Sequence, residues 1–128
     1  AICRNILGMP ITLIKDVYFD YVFIDDFIKI VDFFISHDGK HKFYNIGTGK
    51  PINILTIAKK INEIADSKSE IIVKKKGLNN EYTCSNIRLK RELNNFRFTN
   101  FNATLITLYN WYKSIKSQID PDLLLEER

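Results

Sequence analysis

Apolar and polar residues alternate along this chain in two different periods. Residues 11–14 form a short β-rich run after Gly8-Met9-Pro10, and residues 17–24 are dense in aromatic and β-branched side chains. Both stretches predict strands. The next segment changes period: Phe27, Ile30, Val31 and Phe34 fall on one helical stripe, which predicts a helix to about Ser36. Asp25 or Asp26 stands at its start as a candidate cap, and Gly39 stands ready to end it.

The second half repeats the alternation. A short strand is expected over residues 43–46, then a loop at Gly47-Thr48-Gly49-Lys50-Pro51. Asn53 is a good cap for a helix over residues 54–66, where Ile54, Ile57, Ala58, Ile61 and Ala65 make an apolar stripe. A strand over 70–73 and a polar loop over 77–81 follow. A short helix is expected from Ser85 or Asn86 through Leu93. A last helix begins near Asn102 and carries Leu105, Leu108, Tyr112, Ile115 and Ile119, to be stopped by Asp120-Pro121. The order is roughly β-β-α-β-α-β-α-α. That is an α/β fold in which strands alternate with amphipathic helices. Residues 1–120 are expected to form one domain, with 121–128 as a tail that frays or docks.

Composition removes several function classes. The 128 residues are 45% hydrophobic and 27% charged, which suits one globular core and excludes compositional disorder. No apolar run approaches the roughly 18 residues needed to cross a bilayer, so no membrane role is expected. Cys3 and Cys84 belong to no Cys/His cluster, which argues against zinc. They are read as reduced thiols of a cytoplasmic protein. The N-terminus shows no signal-peptide pattern. A start at Ala1 rather than Met points to a piece of a longer protein, although processing also removes Met. The net charge of +4 is spread through helices and interleaved with acids, so nucleic acid is not expected as a partner. The one dense cluster, Lys74-Lys75-Lys76, is either a solvated edge or a phosphate-binding group.

Three stretches in fixed order carry a resemblance. They are Asp20-Tyr21-Val22-Phe23-Ile24-Asp25-Asp26-Phe27, then Phe43-Tyr44-Asn45-Ile46-Gly47-Thr48-Gly49-Lys50-Pro51-Ile52, then residues 86–93 with a closing helix containing Trp111-Tyr112. Together they resemble the C-terminal part of the extended short-chain dehydrogenase/reductase family, a Rossmann-type group that includes nucleotide-sugar epimerases and dehydratases. The resemblance spans about residues 5–115. It implies a substrate-binding C-terminal domain of an NAD(P)-dependent enzyme on nucleotide-diphosphate sugars, inactive alone. NAD or NADP would bind in the full-length enzyme, in the N-terminal Rossmann half that this chain lacks, and not to the chain itself. Members often form homo-oligomers through helices of that missing half, so the oligomeric state stays open.

The resemblance also places residues. Asp25, Asp26, Asn45, Gly47 and Gly49 fall at motif positions whose physical roles are structural. The family's two diphosphate-binding arginines would fall at Phe19 and near Lys75; Arg88 is a second candidate for the phosphate. Leu78, Ser85 and Asn94 stand where the family often has Asp, Asp and Gly. No catalytic residue is assigned. Tyr109/Lys113 and Tyr112/Lys116 have the Tyr-x-x-x-Lys spacing but lie downstream of all the family motifs. The Gly47-Thr48-Gly49-Lys50 turn lacks the earlier glycine and the Ser/Thr of a triphosphate loop. His37 and His41 read as surface residues. A different class remains as the alternative: a non-catalytic protein-interaction module using an exposed apolar face.

Overall fold

The computed structural model describes residues 1–94 and 96–125. Its core is organised by two parallel strands. β1 (Ile11–Asp16) pairs with β4 (Ile71–Leu78), in register Ile11 to Ile71 and Leu13 to Val73. Parallel neighbours need a long crossover, and the whole segment between them supplies it. Alternation on β1 sends Ile11 and Leu13 inward. They pack with Ala58 and Ile61 of α3 (Ile54–Ile64), Leu105 and Tyr109 of α5 (Phe101–Ser114), and Ile2 of α1 (Ile2–Ile6). Ala58, Ile61, Leu105 and, on α2 (Ile24–Ser36), Ile30 are buried as the helical stripes predict, whereas Leu108, Phe27 and Val31 of the same stripes are exposed and Tyr109, off the expected stripe, is buried.

Polar groups inside the core are paired. The buried Asn5 accepts from the Tyr109 hydroxyl at 2.9 Å and donates to the Ser67 carbonyl and Ser69 Oγ, each at 3.0 Å. Burial pushes the Tyr109 phenol up. Asp16 ends β1 and sits almost out of solvent. Its Oδ1 accepts from the amides of Val17 at 3.1 Å and Leu55 at 3.0 Å, and its Oδ2 from Asn53 Nδ2 at 2.8 Å. Asn53 in turn accepts from the Thr56 amide. Two side chains thus serve the orphan amides that open α3.

Several elements differ from the sequence expectation. α1 was not expected; five residues are too few to show a period. The aromatic run 17–24 pairs only over β2 (Tyr18–Phe19), antiparallel to β3 (Ile52–Asn53). The chain then turns and α2 starts at Ile24 and runs to Ser36. Neither Asp25 nor Asp26 caps it: the cap position is Phe23, which has no side-chain acceptor. Residues 43–46 form no strand: residues 85–92 meet them through side chains, Asn45 to the Ser85 carbonyl, Tyr44 to Glu92 and Arg88 over Phe43, and not through a backbone ladder. β4 continues through Lys74-Lys75-Lys76 to Leu78 instead of stopping at 73; backbone pairing with β1 does not depend on side-chain polarity. α4 (Ile87–Glu92) follows, and α5 begins at Asn100, whose side chain accepts from the Asn102 and Ala103 amides. α5 stops at Ser114, and Lys116–Gln118 form a 3-10 turn, so the helix ends before Ile115 and Ile119. In the expected tail, α6 (Asp122–Leu125) accepts an Arg4 hydrogen bond through the Leu124 carbonyl; residues 126–128 lie outside the described residues. No described helix is long and apolar enough to cross a membrane.

Replacing Asp16 by Ala strips acceptors from two buried amides and from Asn53. The expected cost is about 2 kcal/mol of stability, read as a lowered denaturant midpoint with an unchanged slope. Wild-type stability in Asp16→Ala would show that Asn53 alone opens α3.

Candidate functional site

The glycine-rich turn sits in a clasp made by distant residues. After β2 the chain presents Asp20, whose Oδ1 accepts from the Thr48 amide at 2.8 Å and from the Thr48 hydroxyl. Its Oδ2 accepts from the Gly49 amide at 2.8 Å. On the other side Asn86 Nδ2 donates to the Gly47 carbonyl at 2.7 Å. Gly47 is buried so tightly that a Cβ there would lie 2.7 Å from both Asp20 Oδ2 and Cys84 Sγ. Gly49 has φ +71°, which an L side chain adopts only under strain. Both glycines are therefore required, one for space and one for backbone conformation.

This clasp decides what the turn can bind. A dinucleotide pyrophosphate is held by free backbone N–H groups at a Gly-rich turn. Here the Thr48 and Gly49 amides already point at a carboxylate, which would also repel a phosphate. The described residues therefore do not fit a nicotinamide dinucleotide at this turn. Groups of three or more metal-ligating side chains are also absent among the described residues.

The other expected residues are dispersed. Asp25 is exposed in the first turn of α2, while Asp26 is 1% exposed. The Asp26 carboxylate accepts from the Thr99 amide at 2.7 Å and its hydroxyl at 2.9 Å, with Lys29 Nζ at 3.6 Å. It thus pins α2 to the segment entering α5. Asn45 donates to the Ser85 carbonyl at 3.2 Å rather than to its own turn. Lys75 is exposed on β4, opposite Lys15. Arg88 lies on α4 with its guanidinium 5.4 Å from the Phe43 ring centre, a cation–π distance. It lines a cleft with Phe43, Asn45, Ser85 and Arg91, and Lys75 is not part of that cleft.

Sequence reasoning missed Asp20, Asn86 and Tyr82. Phe19, at the position where the resemblance expects an arginine, stacks on Tyr82 at 5.1 Å and 15°. Tyr21 meets Phe19 edge-on at 5.7 Å. Asp20 stood inside the expected strand 17–24 and opened the first resembling stretch, but no role was assigned to it; its partners lie 28 and 29 residues away. Next to it opens an apolar cavity of about 500 Å3, lined by Val22, Phe23, Ile54, Ile57 and Leu108 among others.

Comparison with known proteins places the fold. No protein-family profile matches the sequence, and no curated protein matches it. Solved structures do. RMD from Pseudomonas aeruginosa complexed with NADPH superposes with a TM-score of 0.74 at 19% identity, over 89% of this chain and 39% of that one. The dTDP-glucose 4,6-dehydratase of Bacillus anthracis in complex with NAD gives 0.71 at 18% identity, over 94% and 40%. The UDP-glucuronic acid 4-epimerase of Bacillus cereus, in complex with UDP-glucuronic acid and NAD, gives 0.70 at 18%, over 89% and 38%. The chain thus has the α/β fold of part of these structures and spans about two fifths of their length.

Gly47→Ala must move Asp20 or Cys84, and the expected loss is about 2 kcal/mol or more. Gly8→Ala, at φ +71° in open space, is the control for backbone strain alone, at about 1 kcal/mol. Equal melting shifts for the two variants would mean that the Asp20 clasp is not tight.

Proposed function

We propose that residues 1–120 form the substrate-side domain of an NAD(P)-dependent nucleotide-sugar epimerase or dehydratase, with 121–128 as its tail. In this reading the chain catalyses nothing alone. The observation that carries it is a face with nothing on it. Ile24, Ile28, Val31 and Ile35 make one stripe along α2 at helical spacing, with Phe27 beside them, and all five are exposed. Phe43, at the head of the unpaired segment 43–46, is 70% exposed. A stripe of this kind is normally buried against another layer. The structures with this fold contain about one and a half times as much additional chain beyond the matched part. A further α/β half supplying a strand beside 43–46 and a layer over α2 would satisfy both.

The neighbours' ligands give the proposal its chemistry. They were solved with NADPH, with NAD, or with NAD and UDP-glucuronic acid. Because the Thr48 and Gly49 amides are taken by Asp20, the dinucleotide is assigned to the other half. This chain would supply part of the nucleotide-diphosphate wall, with Lys75 and Arg88 as point charge and fork toward phosphate oxygens. The solved likenesses favour this reading over a stand-alone interaction module.

The test mixes the chain with NAD(P) and a panel of UDP-, dTDP- and GDP-sugars. Nicotinamide absorbance is expected to stay constant, while the sugars shift the backbone amide resonances of Lys75 or Arg88 at about millimolar concentration. Reduction of NAD(P) by the chain alone would refute its inactivity. Unchanged resonances at both residues would refute the substrate-side assignment.

A further inference from the structure

A second cleft, of about 470 Å3, lies between the Gly47–Gly49 turn and the segment that leads into α5. Three cations line it: Lys50 just after the turn, Lys90 on α4, and Arg97. They come from three separate stretches of chain, so the fold gathers them. The Lys90 ammonium reaches over the turn, 3.4 Å from where a Gly49 Cβ would stand. No carboxylate lines the cleft among the described residues. Asp20 and Asp26, which bond to the cleft-lining Thr48 and Thr99, are engaged with the amides and hydroxyls of Thr48 and Thr99 and the Gly49 amide. None of the three cations has an ion-pair partner among the described residues.

The rest of the wall is aromatic. Phe96 and Phe98 stand 5.2 Å apart and nearly perpendicular at 84°, so together they offer one face and one edge. Tyr21 closes the side near Phe101, 6.4 Å away, and burial pushes its phenol up. A planar ring stacks on such a wall, and an anion beside it meets three positive charges.

We propose that this cleft binds a phosphate ester carrying a planar ring, of about mononucleotide size. The phosphate lies against Lys50, Lys90 and Arg97, with Arg97 able to bind two oxygens at once, and the ring lies against Phe96 and Phe98. The volume, about 470 Å3, lies within the range of ligand pockets and accommodates a mononucleotide. The site is independent of the reading above, which puts a nucleotide diphosphate at Lys75 and Arg88, and it stands or falls separately.

The experiment titrates the full chain with adenosine monophosphate, inorganic phosphate and adenosine, followed by calorimetry and amide resonances. The monophosphate is expected to bind at least about tenfold more tightly than either part alone, to weaken as salt rises, and to shift Lys50, Lys90 and Arg97. The double variant Lys50→Ala/Arg97→Ala, both exposed and outside the core, should keep its melting temperature and lose about tenfold or more in affinity. Phe96→Leu/Phe98→Leu should bring the monophosphate down to the level of inorganic phosphate. Equal binding of monophosphate and inorganic phosphate would overturn the ring site, and equal binding of adenosine would overturn the anion site. Shifts confined to Lys75 or Arg88, or no binding of any probe, would overturn the proposal whole while leaving the substrate-side reading to its own test.

Discussion

Backbone amides that open a helix or a tight turn have no partner in their own element, and this fold meets that need with two carboxylates four residues apart. Asp16 serves the first turn of α3 and Asp20 the turn before it. Between them lies β2, only two residues long. The short strand is thus fixed less by its own ladder than by what flanks it. Asp16 ties the end of β1 to α3, the helix that covers the core. Asp20 ties the same crossing to the glycine-rich turn. Take either away and the parallel pair β1 and β4 would keep its hydrogen bonds but lose its alignment with the helices around it. Other polar links, among them Asn86 to Gly47, Asp26 to Thr99 and Tyr109 to Asn5, attach the last third of the chain to this frame.

What could be read in the sequence was whatever depends on neighbours within a turn or two. The stripe Ile54, Ile57, Ala58, Ile61 and the Asn53 cap announced α3 because both are local. The β-branched run at 11–14 announced β1 for the same reason. The failures share a cause of the opposite kind. Residues 43–46 have strand composition, yet a strand exists only beside another, and the residues that meet them, 85–92, do so through side chains rather than a backbone ladder. β4 extends into a lysine run because its register comes from β1. Asp26 looked like a helix cap, whereas its partner is Thr99, 73 residues on. Of the candidate site, the glycines were legible as punctuation. The carboxylate that clasps them was not, because no local pattern marks an acid whose partners lie nearly thirty residues away.

The exposed stripe of α2 gives the fold's orientation. A helix with a wide apolar face normally buries it against another layer. In this chain only Ile30 and Asp26 of α2 are buried, on the side facing Thr99 and the rest of the core. The opposite side carries Ile35 at 78% exposure. Burial of one flank and exposure of the other describes a middle layer. It also explains why the apolar cavity opens at the first turn of this helix, where Val22 and Phe23 leave the sheet.

The pairing of Phe19 with Tyr82 bears on how charge is distributed. A guanidinium at position 19 would stand on the short strand between Asp16 and Asp20, both engaged with amides, and would compete for their oxygens. A phenyl ring there makes no such demand, and it gains a stacked partner on the chain that returns beside β2. The aromatic pair therefore stabilises the crossing without disturbing either carboxylate. Positive charge on this side of the fold therefore comes from other elements: Lys75 on β4, and Lys50, Lys90 and Arg97 around the second cleft. Among the described residues none of these cations is ion-paired with Asp16 or Asp20, whose oxygens are engaged by the amides of the helix and the turn that they secure.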